Sequence, residues 1–215
     1  MRAYVIRQGD YLAKLAHRMG FDADAVWDHP ANAALKQRRD PNLLYPGELL
    51  YVPEASRTPA PISSNAANGY VAVVPKTTVR LIFEDADGPM VGEAYVVEGL
   101  GAPVESTTDG EGMVVLDLPV HVRECRVVFP RKGLAWPVKV GDMDPLDEPI
   151  GVRKRLRNLG YGGTMDEDEA AGLSDESRAA ADQMAILAYQ KRNGLAVTGE
   201  LDEATRAALA AGDAP

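Results

Sequence analysis

Residues 4–53 read YVIRQGDYLAKLAHRMGFDADAVWDHPANAALKQRRDPNLLYPGELLYVP, and their periodicity sets the fold of the N-terminal part. The run from Tyr4 to Arg7 predicts a strand, and Gly9-Asp10 predicts a turn and helix N-cap, because a short carboxylate can accept from the orphan N–H groups of a first helical turn. Leu12, Leu15, Ala16 and Met19 recur at i, i+3, i+4 and i+7, one apolar helical face, and Gly20 is placed as the left-handed stop. Asp22 or Asp24 caps a second helix through Val26 and Trp27, and Pro30 interrupts it before residues 32–39. Pro46-Gly47 turns the chain into a closing strand over 49–52, ended by Pro53. The expected order is strand, helix, helix, strand, a βααβ module over residues 1–53.

Working outward, residues 54–69, EASRTPAPISSNAANG, concentrate Pro, Ser, Ala, Asn and Gly without an apolar period, the composition of a linker. Over residues 70–141 the period changes to two. Thr77, Val79, Leu81 and Phe83 alternate with polar residues, and further strands are expected at 114–118, 126–129 and 136–140. Asp87-Gly88, Gly99 to Gly101 and residues 109–112 supply turns, so this segment reads as an all-β, sandwich-like domain. Trp136, bulky and at a strand start, is expected in its core. Residues 142–150 begin with the acidic, proline-containing DMDPLDEP and mark a second linker.

Helical spacing returns over residues 151–211. Val152, Leu156 and Leu159 share a face, Met184, Leu187 and Ala188 share another, and Leu201, Thr205, Ala208 and Leu209 a third, with stops at Gly160 and at Asn193-Gly194. A three-helix domain follows, and the acidic run Asp166 to Glu169 falls in the loop after its first helix, where a solvated role is expected. The whole is a multidomain α+β chain.

Composition narrows the function classes. A formal charge of -9 disfavours attachment to nucleic acid or anionic membranes, which depends on basic patches. The single cysteine, Cys125, excludes an internal disulfide and is expected as a small buried hydrophobe. The first ten residues turn polar after a short apolar run, without the apolar core of a Sec signal, and no run approaches the ~20 apolar residues of a membrane helix. The expected location is therefore cytoplasmic on synthesis, with delivery to the periplasm or wall by a non-Sec route. His17, His29 and His121 share no metal-ligand spacing, so neither metal nor cofactor is expected. No nucleophile with a positioned base stands out, and an enzyme is not expected.

The two ends of the first segment, YVIRQGDYL and LYPGELLYVP, resemble the motif blocks of the LysM domain. The resemblance implies a βααβ fold that binds N-acetylglucosamine polymers in a shallow groove between the first strand-helix loop and the loop before the last strand. Here those loops would present Gly9, Asp10, Tyr11 and Leu12 facing Asn42, Leu43, Leu44 and Tyr45, with Tyr11 where Thr is usual. An acetamido sugar needs backbone donors and acceptors for its amide and apolar surface for its methyl and ring face, and no catalytic side chain. GVRKRLRNLGYG at 151–162 and YQKRNGLAVTGELDEATRAAL at 189–209 resemble the signatures of the helical peptidoglycan-binding domain, with a longer acidic insertion at 164–177. The middle segment, through DGPMVG at 87–92 and TTDGEGM at 107–113, is similar to transthyretin-like or carboxypeptidase-regulatory-like β-domains.

Two functions follow from these resemblances. The first is a non-catalytic binder of peptidoglycan or a related amino-sugar polymer, whose two modules add by effective concentration. The second is an adaptor or structural component of a type VI or related contractile injection system, binding a spike or effector protein rather than sugar.

Overall fold

The computed structural model describes residues 1–54, 64, 65, 67, 69, 73–161 and 172–211, which form two compact units, Met1–Asp142 and Met143–Pro215. Most of the 54–69 linker and the whole acidic run Asp166 to Glu169 lie outside the described residues.

The first unit opens with strand β1 (Arg2–Val5), which pairs antiparallel with β2 (Leu49–Val52), Arg2 opposite Val52 and Val5 opposite Leu49. Between them come α1 (Leu12–Met19), α2 (Ala23–Trp27), a 3-10 turn begun by Pro30, and a short α3 (Ala33–Lys36). Alternation in the strands sends Leu50 and Val52 inward, where they meet Ile6, Leu12, Leu15, Val26, Trp27, Leu35 and Leu44. Gly20 closes α1 at φ 76, its N–H donating to the Ala16 carbonyl, and Asp22 rather than Asp24 caps α2 by accepting from Ala25 N at 2.8 Å.

The cap of α1 is a correction. Tyr11, not Asp10, holds the N-cap position, and it makes no side-chain cap bond. The turn at Gly9 (φ 77) sends the Asp10 carboxylate back toward the strand, where Oδ2 accepts from Tyr4 Oη at 2.6 Å and from Arg7 N at 3.0 Å. Another polar group does the work of a strand. Asn32, 1% exposed, donates to the carbonyls of Val26 and Tyr51 and accepts from Tyr51 N, each at 2.8 Å, so it satisfies the outer edge of β2 that would otherwise carry unpaired backbone groups.

The same unit continues into the β-domain. A four-stranded sheet has the order β10-β9-β6-β7, with β10 at Leu134–Lys139, β9 at Glu124–Phe129, β6 at Ala94–Glu98 and β7 at Val104–Thr107. A second pair joins β3 (Lys76–Ile82) to β8 (Met113–Pro119), and a small hairpin joins β4 (Glu84–Asp85) to β5 (Gly88–Pro89). Inward residues of both sheets, among them Val97, Val114, Leu118, Val127 and Phe129, share one core with Cys125, whose thiol burial pushes its pKa up. Trp136 departs from expectation. Strand β10 is at the edge of its sheet with no outer neighbour among the described residues, so the indole stays 41% exposed while it meets Phe83 edge-to-face at 6.3 Å.

The second unit holds α4 (Pro149–Asn158), α5 (Asp175–Arg192) and α6 (Glu203–Ala211). Its core joins Val152 and Leu156 to Ala185, Ile186, Tyr189 and Leu209. Two apolar faces differ from expectation. On α5 the buried residues are Ala185, Ile186, Tyr189 and Gln190, whereas Met184 is 67% exposed and Ala188 is exposed. The i, i+3, i+4 template fits two adjacent faces of this alanine-rich helix, and the aromatic ring of Tyr189 decides between them by packing edge-to-face on Tyr161 at 5.3 Å. Leu159 lies past the end of α4, where the chain turns at Gly160 (φ 81), and is half exposed.

Candidate functional site

The eight residues expected to line an N-terminal groove divide by environment. Asp10, Leu12 and Leu44 are buried within the βααβ part itself, the carboxylate by its bonds to Tyr4 and Arg7 and the two leucines in the core. Tyr11 is buried elsewhere, packed in the β-domain core at 3% exposure with its hydroxyl donating to the Val120 carbonyl at 3.0 Å. Asn42 is exposed, and Gly9, Leu43 and Tyr45 are half-buried. The two loops meet through backbone, Leu12 N donating to the Pro41 carbonyl at 2.8 Å. On the second loop Asp40 builds the turn by accepting from Asn42 N at 2.8 Å, and the Arg39 guanidinium lies over the Tyr45 ring at 5.8 Å.

The first loop is held on its other side by the β-domain. A side chain at Gly141, which has φ 76, would meet the Tyr11 ring at 2.8 Å and the Gly9 carbonyl at 3.2 Å, so only glycine permits this approach. The Gln8 amide donates to Asp142 at 3.3 Å. Lys14 donates to the Gly9 carbonyl and lies over the Tyr11 ring. Burial lowers the Lys14 pKa, opposed by Asp10 and reinforced by Arg123 and Arg18, and burial raises that of Tyr11. An open hollow of about 290 Å³, lined by Met19, Phe21, Val26, His29 and Pro53 among others, lies in the same βααβ part. No sequence motif marks it, because its walls come from the ends of separate elements.

The C-terminal unit is organised around a buried amide. Gln190, fully buried, shares its two Nε2 N–H groups among Thr198 Oγ1 at 3.0 Å, Glu200 O at 2.9 Å and Thr205 Oγ1 at 2.9 Å. Its Oε1 accepts from Thr198 N at 3.0 Å and Gly199 N at 2.9 Å. The loop before α6 is thereby fixed by a side chain of α5, and a Cβ at Gly199 (φ 73) would lie 3.0 Å from the Gln183 side chain and 3.2 Å from that of Leu187. Asp202 then caps α6, accepting from Thr205 N at 2.8 Å, and the bonds from the Thr205 hydroxyl and N–H hold its carboxyl below the usual range. Around α4, Asp144 and Lys154 form a buried ion pair at 2.7 Å, and Arg155 donates to Asp144 O at 2.6 Å. Gly151 carries no side chain because a Cβ would lie 2.0 Å from the Pro145 carbonyl. The acidic-proline stretch is thus built into this unit from Asp144 onward.

Residues 147–209 match the family described as "Putative peptidoglycan binding domain". The match covers α4, α5, α6 as far as Leu209 and the whole Gln190-centred loop. Neither the curated proteins nor the solved structures give a match to this chain. The matched stretch has a clear structural share: Gln190, Thr198, Gly199 and Thr205 are occupied with one another and shape the scaffold. Among the described residues no three His, Cys, Asp or Glu side chains are grouped to hold a metal ion, and no helix is long and apolar enough to cross a membrane.

Proposed function

We propose that this protein binds peptidoglycan without altering it, the C-terminal peptidoglycan-binding domain carrying the principal contact. The single observation behind this reading is the family match over 147–209, on a unit whose signature residues form one closed hydrogen-bond network. The βααβ part adds a second, weaker amino-sugar contact along the loop that stays accessible, where Asn42, Leu43 and Tyr45 offer an amide, an aliphatic face and a ring to an acetamido sugar. Two weak sites on one chain raise retention on a polymer through effective concentration. The test is sedimentation of the full chain with purified sacculi: enrichment in the pellet is expected, and a chain that stays wholly in the supernatant overturns the proposal.

One observation favours the second reading, an adaptor in a contractile injection system that grips a spike or effector protein. Tyr11 is buried in the β-domain core, which makes residues 1–142 a platform with less open groove than a free sugar-binding module offers. Co-purification with such a partner, in the absence of sacculus binding, selects this alternative.

A further inference from the structure

The wall that the amino-sugar reading needs on the first loop is the wall the β-domain covers. Tyr11 contributes its ring to the β-domain core and its hydroxyl to Val120 O at 3.0 Å, and Ala13 packs against the same core. Gly141 lies against the Tyr11 ring and the Gly9 carbonyl, and the Gln8 side chain bonds to Asp142. The facing loop is in another condition, with Asn42 exposed and Leu43 and Tyr45 half-buried. One wall is therefore occupied by this chain's own β-domain and the other is open.

We propose that the β-domain is a built-in competitor for the N-terminal groove: its segments 119–123 and 140–142 dock on residues 8–13, and an amino-sugar chain engages that wall only when this contact parts. The inference rests on the sugar-binding reading of that groove. Two ligands that share a surface exclude one another, so the β-domain and the glycan are negatively linked, and the affinity of the full chain falls by the fraction of molecules whose contact is open. The device is gradual because its parts are separable. Tyr11 supplies the buried ring, Gly141 the close approach, and the Gln8–Asp142 bond lies in solvent.

The experiment titrates the full-length chain with the hexamer of N-acetylglucosamine by calorimetry, while amide hydrogen exchange follows residues 8–13. Gly141→Leu places a side chain where a Cβ already lies 2.8 Å from the Tyr11 ring, which parts the contact and leaves Asn42, Leu43 and Tyr45 untouched. Faster exchange at 8–13 and hexamer binding tighter by about tenfold are expected. Tyr11→Phe removes only the Val120 bond and serves if the leucine variant does not fold; tightening of roughly two- to fivefold is expected there. Faster exchange with unchanged hexamer affinity overturns the competitor and leaves the groove. Faster exchange with no hexamer binding at all overturns the competitor and the N-terminal groove together. Sedimentation with sacculi reads the C-terminal contact separately, so a chain that still pellets in either case loses this inference and keeps peptidoglycan binding.

Discussion

Gln190 is a residue whose role is visible only when its partners are known. An amide buried to 0% exposure has lost all its water, and both of its ends must be met by protein. Gln190→Leu keeps the volume and strands the N–H groups of Thr198 and Gly199, so unfolding of the C-terminal unit in urea should become easier by roughly 2–4 kcal/mol. Lys154 poses the complementary case. Lys154→Met leaves the Asp144 carboxylate, 2% exposed, without its cation and should cost about 3–5 kcal/mol, whereas the double variant Asp144→Asn/Lys154→Met should recover most of that loss in the same assay. Asp202 gives a pH signature. Its carboxyl is held below its ordinary value of 3.8, so its stabilisation is full above that pH and fades as pH falls through the depressed folded value. The gap in Tm between wild type and Asp202→Ala should stay constant from neutral pH to about 4 and close only below it; a gap that closes near neutrality would show that another group carries the cap.

At the scale of elements, the decisive contact is between the loop before α1 and the turns that flank β9 and β10. The Tyr11 phenol, raised by burial, stays protonated in the docked form, so the stability it gives is fully present below its ordinary value of 10.0 and is lost as pH rises through the folded value. Tyr11→Phe has no proton to lose there. Stability of the Met1–Asp142 unit should fall faster above pH 10 in wild type than in the phenylalanine variant, as read by thermal unfolding across an alkaline series. Equal slopes would mean that Tyr11 ionises without disturbing the dock. Much at this scale was legible in the residues: α1 with its Gly20 stop, an aspartate cap on α2 at either Asp22 or Asp24, and the strands β3, β8, β9 and β10. Strand β7 was not, because Val104–Thr107 is exposed at every position and leaves no alternation to detect. Strand β6 was missed for the opposite reason, since Ala94–Glu98 carries adjacent valines that blur the period.

For the whole molecule, the division at Asp142 predicts the unfolding profile. Met1–Asp142 and Met143–Pro215 each contain their own cores, the first holding those of the βααβ part and the β-domain together and the second that of α4, α5 and α6. Two calorimetric transitions are expected, and Gly151→Ala, which drives a methyl into the Pro145 carbonyl, should shift one of them and leave the other in place. A single transition that moves as one would show that the units unfold cooperatively.

By itself the sequence determined most of the elements and the likeness of its C-terminal part to the peptidoglycan-binding family, because helical and strand periods, caps and turn glycines are properties of neighbouring residues. It also placed Tyr11 between β1 and α1. Only the tertiary structure decided what Tyr11 faces, since its neighbours Val120 and Gly141 are more than a hundred positions away and no local pattern encodes a meeting at that separation. The same holds for Trp136 and for the face of α5: a period says which side chains share a side, and what covers that side is settled by packing from elsewhere in the chain.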